Sequence, residues 1–189
     1  MNIDLDGRTA LISGSSQGIG LAIATELARA GARVVLNGRS ASALDSAEEQ
    51  LLTEVPGARV IVVAADLATA EGVETLLATV PVVDILVNNL GIFGAKAALD
   101  IDDDEWRRYF EVNVLSAIRL IRTYLPGMTE AGWGRIQNIC SDSAVVIPEE
   151  MIHYGMTKTA LLAVTRGFAK AAAETGVTVN SVIVGPTHT

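Results

Sequence analysis

Short β-branched runs alternate along the chain with stretches whose apolar residues recur every third or fourth position. The runs lie at 9–13, 33–37, 59–64, 82–88, 135–141 and 178–184. Several are apolar at nearly every position, which is how a strand covered on both faces reads. Between them, Ile19, Ile23 and Leu27 predict a first helix stopped by Gly31. Leu44, Ala47, Leu51 and Val55 predict a second, ended by Pro56-Gly57. Val73, Leu76, Leu77 and Val80 predict a third, with Thr69 as its N-cap. Trp106, Phe110, Val114, Ala117, Ile121 and Leu125 predict a long fourth, opened by Asp102 and Glu105 in the pattern of a capping box. A fifth covers residues 152–174. This alternation specifies an α/β fold, a doubly wound parallel sheet of Rossmann type with six strands and five helices, because parallel neighbours need crossover connections. Such a sheet takes ligands beyond the C-terminal ends of its strands.

No repeat, low-complexity tract or linker divides the 189 residues, and the chain reads as one domain. Half the residues are hydrophobic and 19% are charged, which excludes general disorder. Fourteen basic against twenty-two acidic residues leave a charge of −8 with no basic cluster. That balance argues against nucleic acid or an anionic membrane as partner. The apolar runs fall far short of the roughly 20 residues that span a bilayer. The start, MNIDLDGRTALISG, lacks the basic and apolar regions of a signal peptide, so a cytoplasmic location is expected. Cys140 is the single cysteine and is expected to pack as a small apolar residue.

The first run leads into Ser13-Gly14-Ser15-Ser16-Gln17-Gly18-Ile19-Gly20, which opens the first helix. Glycines let the backbone turn tightly and let a phosphate approach, and the free N–H groups of the helix start favour an anion. In this setting Gly14, Ser16, Gln17, Gly18, Ile19 and Gly20 are candidate dinucleotide-binding residues. The second run ends in Asn37-Gly38-Arg39, with glycine where an acid would accept from a ribose diol. A guanidinium there can hold a 2′-phosphate, so NADP(H) is expected in preference to NAD(H). Asp66, with Leu67 beside it, follows the third run, where it either accepts from an adenine amino group or serves as a turn or capping aspartate. Asn89 and Gly91, in NNLG after the fourth run, can brace the strand ends and leave room for the cofactor.

Tyr154 and Lys158 stand four residues apart at the start of the fifth helix, on one face. An ammonium about 4 Å from a phenol is worth roughly 4 kcal/mol at an effective dielectric near 20. That corresponds to about 3 pKa units and would bring the phenol toward working range. Ser141 ends the fifth run, where its hydroxyl can hold a carbonyl oxygen for protonation. His153 is a candidate for lining the substrate pocket, and no metal is expected, since two histidines form no ligand cluster.

With these motifs in this order, the chain resembles the short-chain dehydrogenase/reductase family over nearly its whole length. The resemblance implies that Tyr154 is the acid–base residue and that Lys158 holds the nicotinamide ribose and lowers the tyrosine pKa. It implies further that Ser141 orients the carbonyl and that Asn113 supports a proton-relay water. Gly185 and Thr187, in GPT after the last run, would contact the nicotinamide amide. Two departures are Leu90 in place of a small alanine and Val184 in place of proline. The implied activity is an NADP(H)-dependent interconversion of a carbonyl and a secondary alcohol, with a small-molecule substrate and a homodimer or homotetramer as the assembly. The alternatives are a 3-oxoacyl-thioester reductase and, in a different class, a non-catalytic cofactor-sensing or scaffold protein. The family would add a substrate-binding segment and a seventh strand after Thr189, and a mobile lid is expected there.

Overall fold

Successive residues of a strand face opposite sides of a sheet, and in this chain both sides are apolar. The computed structural model describes residues 3–187. Its strands are β1 (Thr9–Ile12), β2 (Arg33–Gly38), β3 (Arg59–Ala64), β4 (Ile85–Asn88), β5 (Gly134–Ser141) and β6 (Val177–Val184). All pair in parallel in the order β3-β2-β1-β4-β5-β6, so the winding reverses between β1 and β4. The helices are α1 (Gly18–Arg29), α2 (Ala41–Glu54), α3 (Ala70–Thr79), α4 (Asp103–Phe110), α5 (Ser116–Glu130) and α6 (Ile152–Ala171). Ala10, Ile12, Val34 and Leu36 pack with Leu21, Ala24, Leu44 and Leu51 of α1 and α2. Leu11, Val35, Leu86 and Ile136 face the other way, onto Leu76 of α3 and Leu120 and Ile121 of α5. Each such leucine, fully buried, contributes about 1.5–3 kcal/mol. Among the described residues no helix is long and apolar enough to cross a membrane.

The expected helix starts and stops have local causes. The Thr69 hydroxyl accepts from the Gly72 N–H at 3.0 Å, capping α3, and Gly31 turns the chain after α1 with φ +96°. The Asp102 carboxylate accepts from the Glu105 N–H at 2.8 Å. Glu105 does not complete the capping box, because its carboxylate pairs with Lys96 instead. The fourth strand begins at Ile85 rather than at residue 82, since Val82 is exposed and Asp84 takes the N–H of Thr9 at 2.8 Å on its side chain.

The expected single fourth helix is divided into α4 and α5 by a π-helical turn, Glu111–Leu115, giving six α-helices rather than five among the described residues. A π turn bonds five residues apart and inserts an extra residue. The buried face therefore runs from Tyr109 to Val114, and Phe110, expected in the stripe, is exposed. The substrate-binding segment and seventh strand expected beyond Thr189 lie outside the described residues.

Candidate functional site

The glycine turn is held by polar side chains at the C-terminal ends of β1, β2 and β4. The Ser13 hydroxyl accepts from the N–H groups of Asn89 and Leu90, each at 3.0 Å. The Asn89 amide donates to the carbonyls of Ser13 and Gly14, at 3.1 and 2.8 Å. The N–H of buried Asn37 donates to the Ser15 hydroxyl, and its side-chain amide donates to the carbonyls of Val63 and Ala65. Gly14 and Gly18 have φ of +63° and +58°, in the left-handed region that L side chains avoid. A Cβ on Gly20 would lie 2.4 Å from the Gly14 carbonyl oxygen and 2.6 Å from the Asn89 amide nitrogen.

The start of α1 differs chemically from those of α2, α3 and α4 and shares with that of α6 the lack of a side-chain cap. Gln17, its N-cap, makes no side-chain capping bond, and no acidic residue stands in the first turn. By contrast, α2, α3 and α4 are capped by Ser40, Thr69 and Asp102. Uncapped N–H groups at the positive end of a helix, beside backbone without Cβ atoms, fit a phosphate. These residues therefore fit a dinucleotide. A cleft of about 800 Å³ runs between α1 and α2, past Ala47 and Gln50, and borders Ser16, Gln17, Val184 and Thr187 at one end.

The remaining candidates for binding lie along the same strand ends. Gly38 sits against Ser16, whose hydroxyl would be 3.3 Å from a Cβ there. Arg39 follows, exposed, with no ion pair among the described residues. The Asp66 carboxylate accepts from the Ala68 N–H at 3.0 Å, so one oxygen serves the turn before α3. The Leu67 side chain is fully buried in the core, and only its backbone is available to a ligand. Leu90, the departure from the family pattern, is half-buried and packs against the core. Gly91 is exposed, and a Cβ on it would lie 3.6 Å from the Lys158 ammonium. Gly185 and Thr187 are exposed beyond β6, where the Thr187 hydroxyl donates to the Gly185 carbonyl at 3.0 Å.

Ser141 ends β5 and is buried, while Tyr154 and buried Lys158 stand one turn apart on α6. The Lys158 ammonium lies 5.6 Å from the centre of the Tyr154 ring and donates to the Ile139 carbonyl at 2.8 Å. This corrects the expectation that the ammonium depresses the phenol pKa. Burial pushes the Tyr154 phenol up, the nearby Ser141 hydroxyl opposes this, and the Asp142 charge adds to the rise. Burial likewise pushes the Lys158 ammonium down. Asn113 lies in the π turn, fully buried. Its amide donates to the Ile92 carbonyl at 2.9 Å and to the Thr157 hydroxyl at 3.0 Å, and its oxygen accepts from the Ile92 N–H at 2.8 Å. It thus ties the chain after β4 to the helix that carries Tyr154.

Several residues that shape the site were not foreseen. Asn37 and Asn138 stand inside apolar strands, an anomaly visible in the sequence. The Asn138 oxygen accepts from Asn88 at 2.8 Å and its amide donates to Thr165 at 2.8 Å. Gly155 lets residues 143–147 lie against α6, since a Cβ there would meet Ile147 at 2.7 Å and the Ser143 carbonyl at 2.9 Å. Cys140 is buried, and burial raises its thiol pKa.

His153 does not line a pocket. It is fully buried, with its ring 4.0 Å from that of Tyr109 and edge-on to Trp106, and neither ring nitrogen has a hydrogen-bond partner. Burial lowers its pKa, although Glu105, 3.9 Å away, pulls it up. The unfolded chain then binds a proton that the folded protein resists. Stability from this group is whole above about pH 6.5, the ordinary histidine value, and is lost as pH falls from there through the lowered folded value. Urea midpoints at pH 7.5 and 5.5 should show this loss, and His153→Leu should flatten it. An equal pH dependence in that variant would contradict the assignment.

Comparisons with known proteins show the family and the fold. The family model described as short chain dehydrogenase matches residues 8–189. An uncharacterized oxidoreductase of Bacillus subtilis, YvaG, is 47% identical over 189 residues, covering all of this chain and 72% of its own length. D-beta-hydroxybutyrate dehydrogenase of Cupriavidus necator is 35% identical over 185 residues, covering 96% of this chain and 71% of its own. The crystal structure of L-sorbose reductase from Gluconobacter frateurii, complexed with NADPH and L-sorbose, superposes with a TM-score of 0.90 at 36% identity. It covers 96% of this chain and 70% of its own.

Proposed function

The chain belongs to the short-chain dehydrogenase family, and from that premise we propose that it reduces a small carbonyl compound with NADP(H) in preference to NAD(H), with Tyr154 as the proton donor. It is an oxidoreductase acting on the carbonyl and alcohol pair. The observation that carries the finer reading is the assembly of Ser141, Tyr154 and Lys158 at the strand ends that also hold an uncapped glycine-rich helix start.

Each residue then has a physical task. The N–H groups at the start of α1, from Gln17 through Gly20, with Ser16, hold the pyrophosphate, while Asn37, which accepts from the N–H groups of Gly14 and Ser15, and Asn89 keep the turn in shape. Exposed Arg39, which follows the Gly38 that lies against Ser16, takes the 2′-phosphate by paired hydrogen bonds. Asp66 and the backbone of Leu67 border the adenine, while Gly91, Gly185 and Thr187 border the nicotinamide end. A bound nicotinamide would supply the hydride chemistry at the carbonyl carbon. Ser141 donates a hydrogen bond to the carbonyl oxygen, and Tyr154 gives it a proton. A phenol pushed upward by burial stays protonated at neutral pH, which suits it to donate rather than accept. Lys158 holds the ribose, and Asn113 fixes the segment against which a relay water would rest. The domain is read as one unit, and a homodimer or homotetramer is the assembly proposed.

The test is a paired fluorescence titration with NADPH and NADH, repeated in Arg39→Ala. A charge-assisted pair is worth about 1.5–3 kcal/mol, so NADPH affinity should fall roughly tenfold or more while NADH affinity holds. Equal loss for both, or tighter NADH binding in the parent protein, would overturn the preference.

A further inference from the structure

Ser141 does not stand with a free proton. Its hydroxyl donates to the Asp142 carboxylate at 3.0 Å and accepts from the Ser143 N–H at 3.2 Å. Asp142 is exposed, and its other oxygen comes within 4.0 Å of the position a Cβ would take on Gly185. The carboxylate is therefore set between the hydroxyl proposed to hold the substrate oxygen and the loop beyond β6. The short turn after it is pinned by the N–H groups of Val145 and Val146, which donate to the Asp142 carbonyl at 2.8 and 2.9 Å. That turn presents Val145 and Val146 outward, 70% and 76% exposed. Phe93 stands near as well, with its ring 6.2 Å from that of Tyr154.

Among the described residues, the charges on this side are otherwise acidic or already matched. Glu149 and Glu150 are exposed before α6 and share a cleft with Lys96. The Lys96 ammonium is bound to Glu105 and lies 4.0 Å from Asp102. Lys158 is buried and engaged with the Ile139 carbonyl.

Resting on the reading of Ser141 and Tyr154 as the reacting site, we infer that Asp142 selects against carboxylate-bearing substrates, so that this protein takes uncharged carbonyl compounds with an apolar flank. A substrate oxygen on Ser141 must displace or share the proton now given to Asp142. A carboxylate two bonds beyond that carbonyl would then meet a like charge a few ångströms away. At an intermediate dielectric such a pair disfavours binding by about tenfold. An ester or ketone of the same shape escapes this cost and gains apolar contact with Val145 and Val146.

The measurement is kcat/KM for acetoacetate and for methyl acetoacetate, which differ in charge at one end. The parent protein should prefer the ester by about tenfold, and Asp142→Asn should bring the ratio close to one. Asparagine keeps an oxygen to accept from Ser141, so the change isolates charge, and Asp142→Ala removes both. Equal use of acid and ester by the parent, or a ratio unmoved in Asp142→Asn, overturns the inference while leaving the carbonyl-reductase reading intact. Turnover that does not depend on Tyr154 refutes that reading, and this inference with it. An independent readout needs no substrate: the ultraviolet ionisation of Tyr154, taken against Tyr154→Phe, should move to lower pH in Asp142→Asn. An unmoved titration would likewise count against Asp142.

Discussion

Tyr154→Phe should reduce turnover by about 10²–10⁴-fold, the range over which a positioned acid–base group acts. The ring itself is kept, so its packing against Phe93 and its place beside Lys158 persist. Dinucleotide affinity should therefore stay within a factor of about two, since the loss is confined to proton transfer. Burial and the Asp142 charge hold the phenol above its ordinary range, so the proton-donating form fills the neutral region. Carbonyl reduction should be flat there and fall only at alkaline pH, as the phenol ionises. Alcohol oxidation needs the phenolate and should rise over the same interval. Steady-state rates in both directions, with NADPH binding measured in parallel, check the whole set. Undiminished turnover in the Tyr154→Phe variant would remove the proposed mechanism.

The second large effect is expected at Gly20. Alanine there would place a carbon 2.4 Å from the Gly14 carbonyl oxygen and 2.9 Å from the Ser15 Cα. Both are backbone atoms of the turn, so relief requires the turn to move. Forced overpacking costs typically about 1–3 kcal/mol, and the displaced N–H groups are those proposed to hold the pyrophosphate. Affinity for NADPH should fall by about tenfold or more, at roughly 1.4 kcal/mol per decade. Gly127→Ala is the matching control, because a Cβ on that α5 residue meets nothing within 4 Å. It should raise stability by about 0.4–1 kcal/mol through the unfolded chain and leave binding unchanged. Tight binding by the Gly20→Ala protein would show that the turn tolerates a side chain and is not the phosphate cradle.

The strand runs, the glycine turn and the positions of Ser141, Tyr154 and Lys158 are legible in the residues alone because their signals are local. A period of two or nearly four, a glycine after a strand, and two side chains one helical turn apart are all written within a few neighbouring positions. The six strands accordingly fall close to their expected places, and β3 occupies 59–64 as read. The same locality misleads where the backbone departs from a regular period. Phe110 fits an i,i+4 stripe with Val114, yet Tyr109 takes the buried place because the π turn bonds over five residues.

What sequence neighbours do not encode is the partner brought in from elsewhere in the chain. Lys158 looks poised to act on Tyr154 one turn below, but a carbonyl nineteen residues away, that of Ile139, engages its ammonium. His153 looks like a pocket residue from its place before Tyr154, and α4 buries it against Tyr109. Asn37 and Asn138 are merely odd polar residues in apolar strands until the sheet places Ser15, Val63 and Thr165 around them. Local pattern thus settles the order of elements and which side chains reach the strand ends. Burial and long-range hydrogen bonding settle their protonation and orientation, because both depend on which polar groups the fold takes out of water together.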